Sequence, residues 1–560
     1  MARILLVEPE YKNKYPPIGL MKIATYHRNR NDIVEFYKGN APYTYIKLFD
    51  RIYITSLFTF HYDILIECIK HYQNFIKDKN IFVGGIAASL LSTEIKKETE
   101  IENIICGQLI NSKSIGYDDN VNIDTLPLDY DILDDISYKY PAGDNYFIYT
   151  TRGCKRNCNF CAVRILEPTF ETTNNIVNQV TRIDQLYGSK RNLLLMDNNV
   201  LYSNKLNEII NDIKILGYNG NKEYITPNPF IIQMNKIKRR KKYKVNFTKQ
   251  LEELLIFLSE FSLKIKKYDK ALYHYNELIS EIIFSKNDIW SKLKKQENDI
   301  AEFIEKYRVK TKMIRYVDFN QGIDARLINE DNIKELASIP IRPLRLAYDN
   351  INETQIFINA TNLALKNKIK YFSNYMLYNY EDKPEDLWIR LHNAIKLYNK
   401  TNNKIDAFSF PMKYSPINRI DRSFIGYRWN RKYLAAVNII INVTKGVVVK
   451  EIDFFYEAFG TNIKEYKIIL NMPNEFIRFR KYFTNNGLIT LWKKMYIDLS
   501  SKEKKQLLNI LCDENLNITG NKKEYSSIIK RILFLYKINK SQFDRKEINV
   551  KKVMRRISEI

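Results

Sequence analysis

Three cysteines, Cys154, Cys158 and Cys161, fall within eight residues of a 560-residue chain. They lie in the stretch Arg152-Gly153-Cys154-Lys155-Arg156-Asn157-Cys158-Asn159-Phe160-Cys161, with the spacing C-x3-C-x2-C. Thiolates brought from one loop can each hold one iron of a cubane cluster, which ordinarily has four such ligands. The remaining cysteines, Cys68, Cys106 and Cys512, are isolated in sequence. A cubane held by three thiolates keeps one iron open, and an open iron can bind a small molecule instead of only passing electrons. A zinc knuckle asks for a fourth Cys or His close by, whereas the nearest histidines, His71 and His274, are far away in sequence. A disulfide is disfavoured in a cysteine-poor chain without a secretion signal.

Two further stretches place polar residues directly after apolar runs. Arg191-Asn192-Leu193-Leu194-Leu195-Met196 runs into Asp197-Asn198-Asn199. These side chains offer acceptors for an ammonium, or they cap the helix that follows. Ile314-Arg315-Tyr316-Val317-Asp318-Phe319 ends in Asn320-Gln321-Gly322-Ile323-Asp324-Ala325-Arg326. Arg326 is suited to grip a carboxylate through two parallel hydrogen bonds. The competing reading is a turn in which Asp324 serves as a helix cap. The residue that directs chemistry on a substrate is not named by the sequence.

The elements that must position these residues follow from periodicity. Residues 2–8, 32–36, 51–56, 80–83 and 104–107 read as strands separated by helix-length segments, which indicates a doubly wound α/β domain over 1–110. Gly84 and Gly85 follow the fourth strand, where glycines let a backbone approach a ligand. Residues 111–144 are turn-rich and read as a linker. Six strands then begin near 145, 191, 314, 341, 370 and 405, which predicts a partial (β/α)6 barrel over 145–411. The cysteine loop leaves the carboxyl end of the first, the end at which (β/α) barrels carry their chemistry. Residues 230–312 interrupt this pattern with the basic run Lys236–Lys244 and amphipathic helices near 250–306, read as an inserted helical hairpin. The basic run is a candidate contact for nucleic acid or an acidic partner, or it is a solvated helix end. Residues 412–560 read as a helical C-terminal domain. Its Arg428-Trp429 pair suits base stacking or simple packing, and its basic tail from Arg545 to Arg556 is expected to fray.

The cysteine spacing, the Arg152-Gly153 pair before it and Phe160 just before the third cysteine together resemble the radical S-adenosylmethionine (SAM) superfamily. The string 320–326 is similar to that of a group of uncharacterised microbial and mobile-element proteins of that superfamily. The resemblance implies a [4Fe–4S] cluster on Cys154, Cys158 and Cys161, completed by the amino and carboxylate groups of SAM. It implies reductive cleavage of SAM to a 5′-deoxyadenosyl radical, Phe160 near the adenine, and Asp197, Asn198 and Arg326 as contacts for SAM. It also implies a reductant protein such as a flavodoxin or ferredoxin. Pro16-Pro17-Ile18-Gly19-Leu20 and Val83-Gly84-Gly85 resemble the cobalamin-binding-type domain that precedes many such cores. The Asp-x-His-x-x-Gly loop of some cobalamin proteins is missing. His61 can stand in as a ligand, but it reads more readily as a packing residue. Cobalamin-dependent methylation is one outcome the resemblance leaves open. Methylthiolation, which needs a second cluster, is disfavoured. The rival reading is a non-catalytic iron–sulfur protein that binds nucleic acid or senses redox state, though such a cluster should have four ligands.

Bulk properties set the remaining bounds. Sparse, irregular cysteines point to a reducing, cytoplasmic setting. The N-terminus does not read as a signal peptide. No run of about eighteen apolar residues predicts a membrane helix. The formal charge of +25 invites a nucleic-acid partner. Lys, Asn, Ile and Tyr are abundant together, however, and lysine is spread through most segments, so charge alone supports that partner weakly.

Overall fold

The segment Arg3–Glu8, RILLVE, is buried at every position but its first. A run apolar on both faces belongs inside a parallel sheet covered by helices on each side. In the computed structural model it forms β1, flanked by β2 (Ile33–Lys38) and β3 (Arg51–Ser56), with β4 (Ile81–Gly85) and β5 (Ile104–Ile105) beyond β3. Every pairing is parallel in the order β2-β1-β3-β4-β5. This order reverses direction between β1 and β3, where the carboxyl ends of the strands open a crevice. Leu5, Val7, Ile52 and Ile54 share their core with Leu65 and Tyr72 of the helix Tyr62–Gln73.

The structure describes residues 1–173, 176–220, 223–266, 269–285, 288–400, 405–513 and 525–560. It divides into two compact units, one of 1–321, 334–342 and 417–421, the other of 322–333, 343–416 and 422–560.

The first unit continues with β6 (Tyr146–Ile148), β7 (Thr151–Arg152), β8 (Glu171–Thr172), β9 (Leu193–Leu195), β10 (Glu223–Tyr224), β11 (Met313–Ile314) and β12 (Val317–Phe319). β6, β9 and β12 form a parallel sheet with β9 in the middle. β7 and β8 pair antiparallel and form the base of the cysteine loop.

The expected hairpin at 230–312 is corrected. Among the described residues this region holds five helices, Pro229–Lys242, Thr248–Leu263, Lys270–Phe284, Ile289–Lys295 and Glu297–Tyr307. They bury a core of their own that includes Phe230, Met234, Leu254, Leu258, Tyr275 and Ile300. The first part of the basic run, from Lys236 to Arg240, finds acidic partners within the chain. Lys236 pairs with Asp134 at 2.7 Å, and Arg240 with Asp135 at 2.7 Å. Arg239 grips both carboxylate oxygens of Asp131 at 2.7 and 2.8 Å. Burial pushes the Asp135 carboxyl up to about 6, with Arg240 pulling against it.

In the second unit β13 (Leu344–Ala347), β14 (Tyr371–Tyr378) and β15 (Asp406–Lys413) run parallel, and β16 (Val448–Val449) joins β15 antiparallel. The helices Thr354–Lys366 and Pro384–Asn399 form the crossovers. Arg390 is fully buried and donates to the carbonyls of Tyr348, Asp349 and Leu377, at 2.9, 3.0 and 2.8 Å, tying the end of β13 to β14. From Arg431 onward the described residues are helical apart from β16. Trp429 is a packing residue: its indole N–H donates to Asp382 at 3.2 Å and its ring meets Tyr378. The tail expected to fray is also corrected. Val550–Glu559 is a helix capped by Asn549, whose side chain accepts from the Lys552 N–H at 2.9 Å, and Val553 is fully buried. No helix among the described residues is long and apolar enough to cross a membrane.

Candidate functional site

The cysteine loop opens on a glycine that no other residue can replace without strain. Gly153 has φ +72°, and a Cβ built there would lie 2.1 Å from the Thr169 carbonyl oxygen. Its N–H donates to Oε2 of Glu167 at 2.7 Å. That same oxygen accepts from Nδ2 of Asn198 at 2.8 Å, while Oε1 pairs with Arg152 at 2.8 Å. Glu167 therefore joins the first residue before the glycine, the glycine itself and the segment after β9. It was not among the expected site residues. A single Glu before a proline has no diagnostic spacing, and only the fold brings its partners together.

Arg152 extends this contact inward. Its guanidinium lies 3.8 Å from the centre of the Tyr149 ring and pairs with Asp124 at 3.0 Å. Lys22, on the helix Ile18–Asn29, meets the same Asp124 oxygen at 2.8 Å. Burial lowers the Lys22 ammonium from its ordinary range, with Asp124 opposing the shift. At Asp124 burial pushes the carboxyl up, but Lys22 and Arg152 more than reverse it and leave it below the ordinary value. Two cations and two anions thus alternate, mostly buried, from the N-terminal helix to the base of the cysteine loop.

Asp197, at the end of β9, is fully buried. Its Oδ1 accepts from the hydroxyls of Thr150 and Thr151 at 2.7 and 2.8 Å, from the Thr150 N–H at 2.9 Å, and from the Thr151 N–H. Burial pushes its carboxyl up against these hydrogen bonds. One carboxylate oxygen is spent on fixing the turn between β6 and β7, so Asp197 positions the loop. Only Oδ2, which has no hydrogen bond among the described residues, remains as an acceptor. Asn198 is half-buried and uses its amide N–H on Glu167.

None of the three cysteines is in a disulfide among the described residues, and each is partly exposed. The Arg156 N–H points at Cys154 Sγ at 3.4 Å, and the Cys161 N–H donates to the Cys158 carbonyl at 3.0 Å. Among the described residues no three His, Cys, Asp or Glu side chains are gathered for one metal ion. A cubane seats each thiolate on a different iron, so three soft, accessible sulfurs spread along one loop fit that donor set better than a single-ion site. Phe160 is half-buried within the same loop.

Arg326 belongs to the second unit. Its guanidinium donates to both oxygens of Asp324 at 2.6 and 2.9 Å and to Glu353 at 2.5 Å. Asp324 also caps the short turn Ala325–Leu327. Arg326 does grip a carboxylate in two-pronged fashion, but the carboxylate is the chain's own.

At the carboxyl end of the N-terminal sheet, Gly85 adopts φ +98°, with its Cα facing the Ser56 backbone so closely that a Cβ would lie 2.2 Å from the Ser56 carbonyl. The helix Ile86–Leu90 that follows touches the helix Val163–Leu166, which comes just after Cys161. His61 stacks on Tyr11 at 4.7 Å and meets Phe60 edge-on, in keeping with a packing role.

No protein-family model matches the chain. In sequence, 148 residues are 28% identical to a "Probable dual-specificity RNA methyltransferase RlmN" of Caldanaerobacter subterraneus, covering 26% of this chain and 43% of that protein. A second protein of that description, from a Thermoanaerobacter species, is 32% identical over 100 residues, 18% of this chain and 29% of its own. The chain thus spans less than half the length of these curated relatives. Among solved structures it is similar to the radical SAM methyltransferase TsrM from Kitasatospora setae, determined with cobalamin and a [4Fe–4S] cluster. That match has a TM-score of 0.41 and 11% identity, over 74% of this chain and 77% of the other. It is also similar to the cobalamin-dependent radical SAM enzyme OxsB, with a TM-score of 0.35 and 12% identity, over 91% and 70% of the two chains. The sequence relatives are RNA methyltransferases by description.

Proposed function

We propose that this protein is a radical SAM enzyme that cleaves SAM reductively and directs the resulting radical chemistry toward methyl transfer. The observation that carries the reading is the loop itself: three partly exposed cysteines in eight residues, held at its base by Gly153 and Glu167. Cys154, Cys158 and Cys161 would hold a [4Fe–4S] cluster whose fourth iron takes the amino and carboxylate groups of SAM. When bound, the cluster supplies the single electron that breaks a carbon–sulfur bond of SAM. The protein's part is to bind, orient and exclude water. The Arg156 N–H lies 3.4 Å from Cys154 Sγ and orients that side chain. Phe160 is a packing surface for the adenine. Asn198 keeps its amide oxygen for an ammonium, and Asp197 keeps Oδ2.

The domain layout that goes with this reading is a cobalamin-binding-like domain over 1–110, a linker over 111–144, a barrel over 145–411 with its insertion at 230–312, and a helical domain over 412–560. The parallel order β2-β1-β3-β4-β5 suits a corrinoid at its carboxyl end. The contact between Ile86–Leu90 and Val163–Leu166 brings that end beside the cysteine loop. A flavodoxin or ferredoxin as reductant and a cytoplasmic setting complete the reading. The description of the sequence relatives makes RNA the first substrate to try.

The test is anaerobic reconstitution with iron and sulfide, followed by SAM and a strong reductant, with 5′-deoxyadenosine read by mass spectrometry. Deoxyadenosine from the parent, and none from Cys158→Ala, is the expected result. A verified, intact cluster that yields no deoxyadenosine would overturn the proposal. A corrinoid spectrum in protein expressed with cobalamin would establish the second cofactor.

A further inference from the structure

The net charge of the chain is less diffuse than the spread of lysine suggests. Residues 412–560 hold 30 Lys and Arg against 14 Asp and Glu, a balance of +16 out of the total of +25. Within that span, residues 480–560 hold 19 against 8. Drift toward lysine codons would act on the whole chain alike, and the first 411 residues carry only +9. A concentrated basic region is the electrostatic footprint of a polyanion partner.

The densest part is the turn and helix at the C-terminus. Arg545, Lys546, Lys551, Lys552, Arg555 and Arg556 are all exposed. Between Arg545 and Arg556 the only acid is Glu547. Lys551, Lys552, Arg555 and Arg556 recur at i, i+1, i+4 and i+5, so they share one face of Val550–Glu559. The Asn549 cap and the buried Val553 fix the helix, so the cations are presented by an ordered element. Val553 and the half-buried Ile557 use the apolar face inside the unit, which leaves little to insert into a lipid surface. Lys546, Lys551 and Arg556 enter no ion pair among the described residues, unlike the internally neutralised run at 236–240.

We infer that this face binds the phosphate backbone of a nucleic acid. Phosphates spaced along a strand match a row of helical cations, and the contact reads charge instead of base sequence. It requires neither cluster nor SAM, so it stands or falls separately from the radical chemistry.

The experiment is fluorescence anisotropy of the full-length protein with a labelled single-stranded RNA and with single-stranded DNA of the same sequence, across a salt series. The comparison is with Lys546→Gln/Lys551→Gln/Arg556→Gln. Each phosphate contact removed flattens the log–log salt slope by about 0.7 for a single strand, so the triple variant should lose about 2 from the slope and roughly tenfold or more in affinity. If its circular dichroism or melting differs from the parent, the pair Lys546→Gln/Lys551→Gln serves instead, with about two-thirds of the slope change. Binding of either strand with this loss supports the inference, and the tighter strand names the source. No binding, binding unchanged in the variants, or association with phosphatidylserine vesicles in place of nucleic acid would overturn it.

Discussion

Replacing Glu167 by alanine tests whether the cysteine loop is held as its geometry indicates. The substitution takes the acceptor from the buried Gly153 N–H, which costs about 1–3 kcal/mol. It also breaks a largely buried ion pair, a loss of roughly 3–5 kcal/mol when a cation is left alone. Arg152 is not left alone, because it keeps Asp124, so about 1–2 kcal/mol is the appropriate share. Asn198 is half-buried and can turn to water. The total is about 2–5 kcal/mol, a large part of the roughly 5–15 kcal/mol that holds a typical protein folded. Glu167→Gln keeps an acceptor for Gly153 and loses only the charge toward Arg152, about 1–2 kcal/mol. The assays are iron bound per chain after anaerobic reconstitution and the urea midpoint of the iron-free protein. Alanine should lower both, and glutamine should lie between alanine and the parent. An alanine variant that matches the parent in iron content and in stability would refute the reasoning.

Two further perturbations follow from particular atoms. Gly153→Ala places a methyl 2.1 Å from the Thr169 carbonyl in a left-handed conformation, so the loop must shift; the visible absorbance of a reconstituted cluster should fall steeply, while the far-ultraviolet dichroism of the protein should barely change. Lys432 is buried, bonds Asn474 at 3.0 Å, and is pushed down by burial to about 7, with Cys512 opposing. Because the unfolded chain binds that proton more tightly, stability should rise with pH between about 7 and 10.4 and carry the full penalty below that window, at most ~5 kcal/mol. Lys432→Met should stabilise the protein at pH 7 and lose that advantage by pH 10, as read from urea midpoints; equal midpoints for the two proteins at pH 7 would count against it.

Much of the strand framework was legible because parallel strands write themselves as short apolar runs. Arg3–Glu8, Arg51–Ser56, Leu193–Leu195 and Tyr371–Tyr378 are all anticipated within a few residues. The cysteine loop was legible for a different reason, since its chemistry demands fixed spacing within one segment. What supports that loop was not. Glu167, Asp124 and Lys22 contribute single side chains from distant segments, and nothing local distinguishes them from surface charge. Arg326 shows the opposite difficulty: its type correctly indicated a bidentate carboxylate, but not that Asp324, two residues away, would supply it. The basic run at 236–244 looked like an outward-facing surface because its acids lie about a hundred residues earlier.

That last pairing bears on how separable the insertion is. By topology the helices from Pro229 to Tyr307 resemble a cassette, because β10 and β11 close their two ends against each other. By charge they do not. Excising them would take from the buried side chains of Asp131 and Asp135 their ion-pair partners Arg239 and Arg240, leaving Arg28 as the cation that acts on both. The insertion and the linker are thus constrained to change together. A trimmed form would have to neutralise those two carboxylates before it gave up the helices.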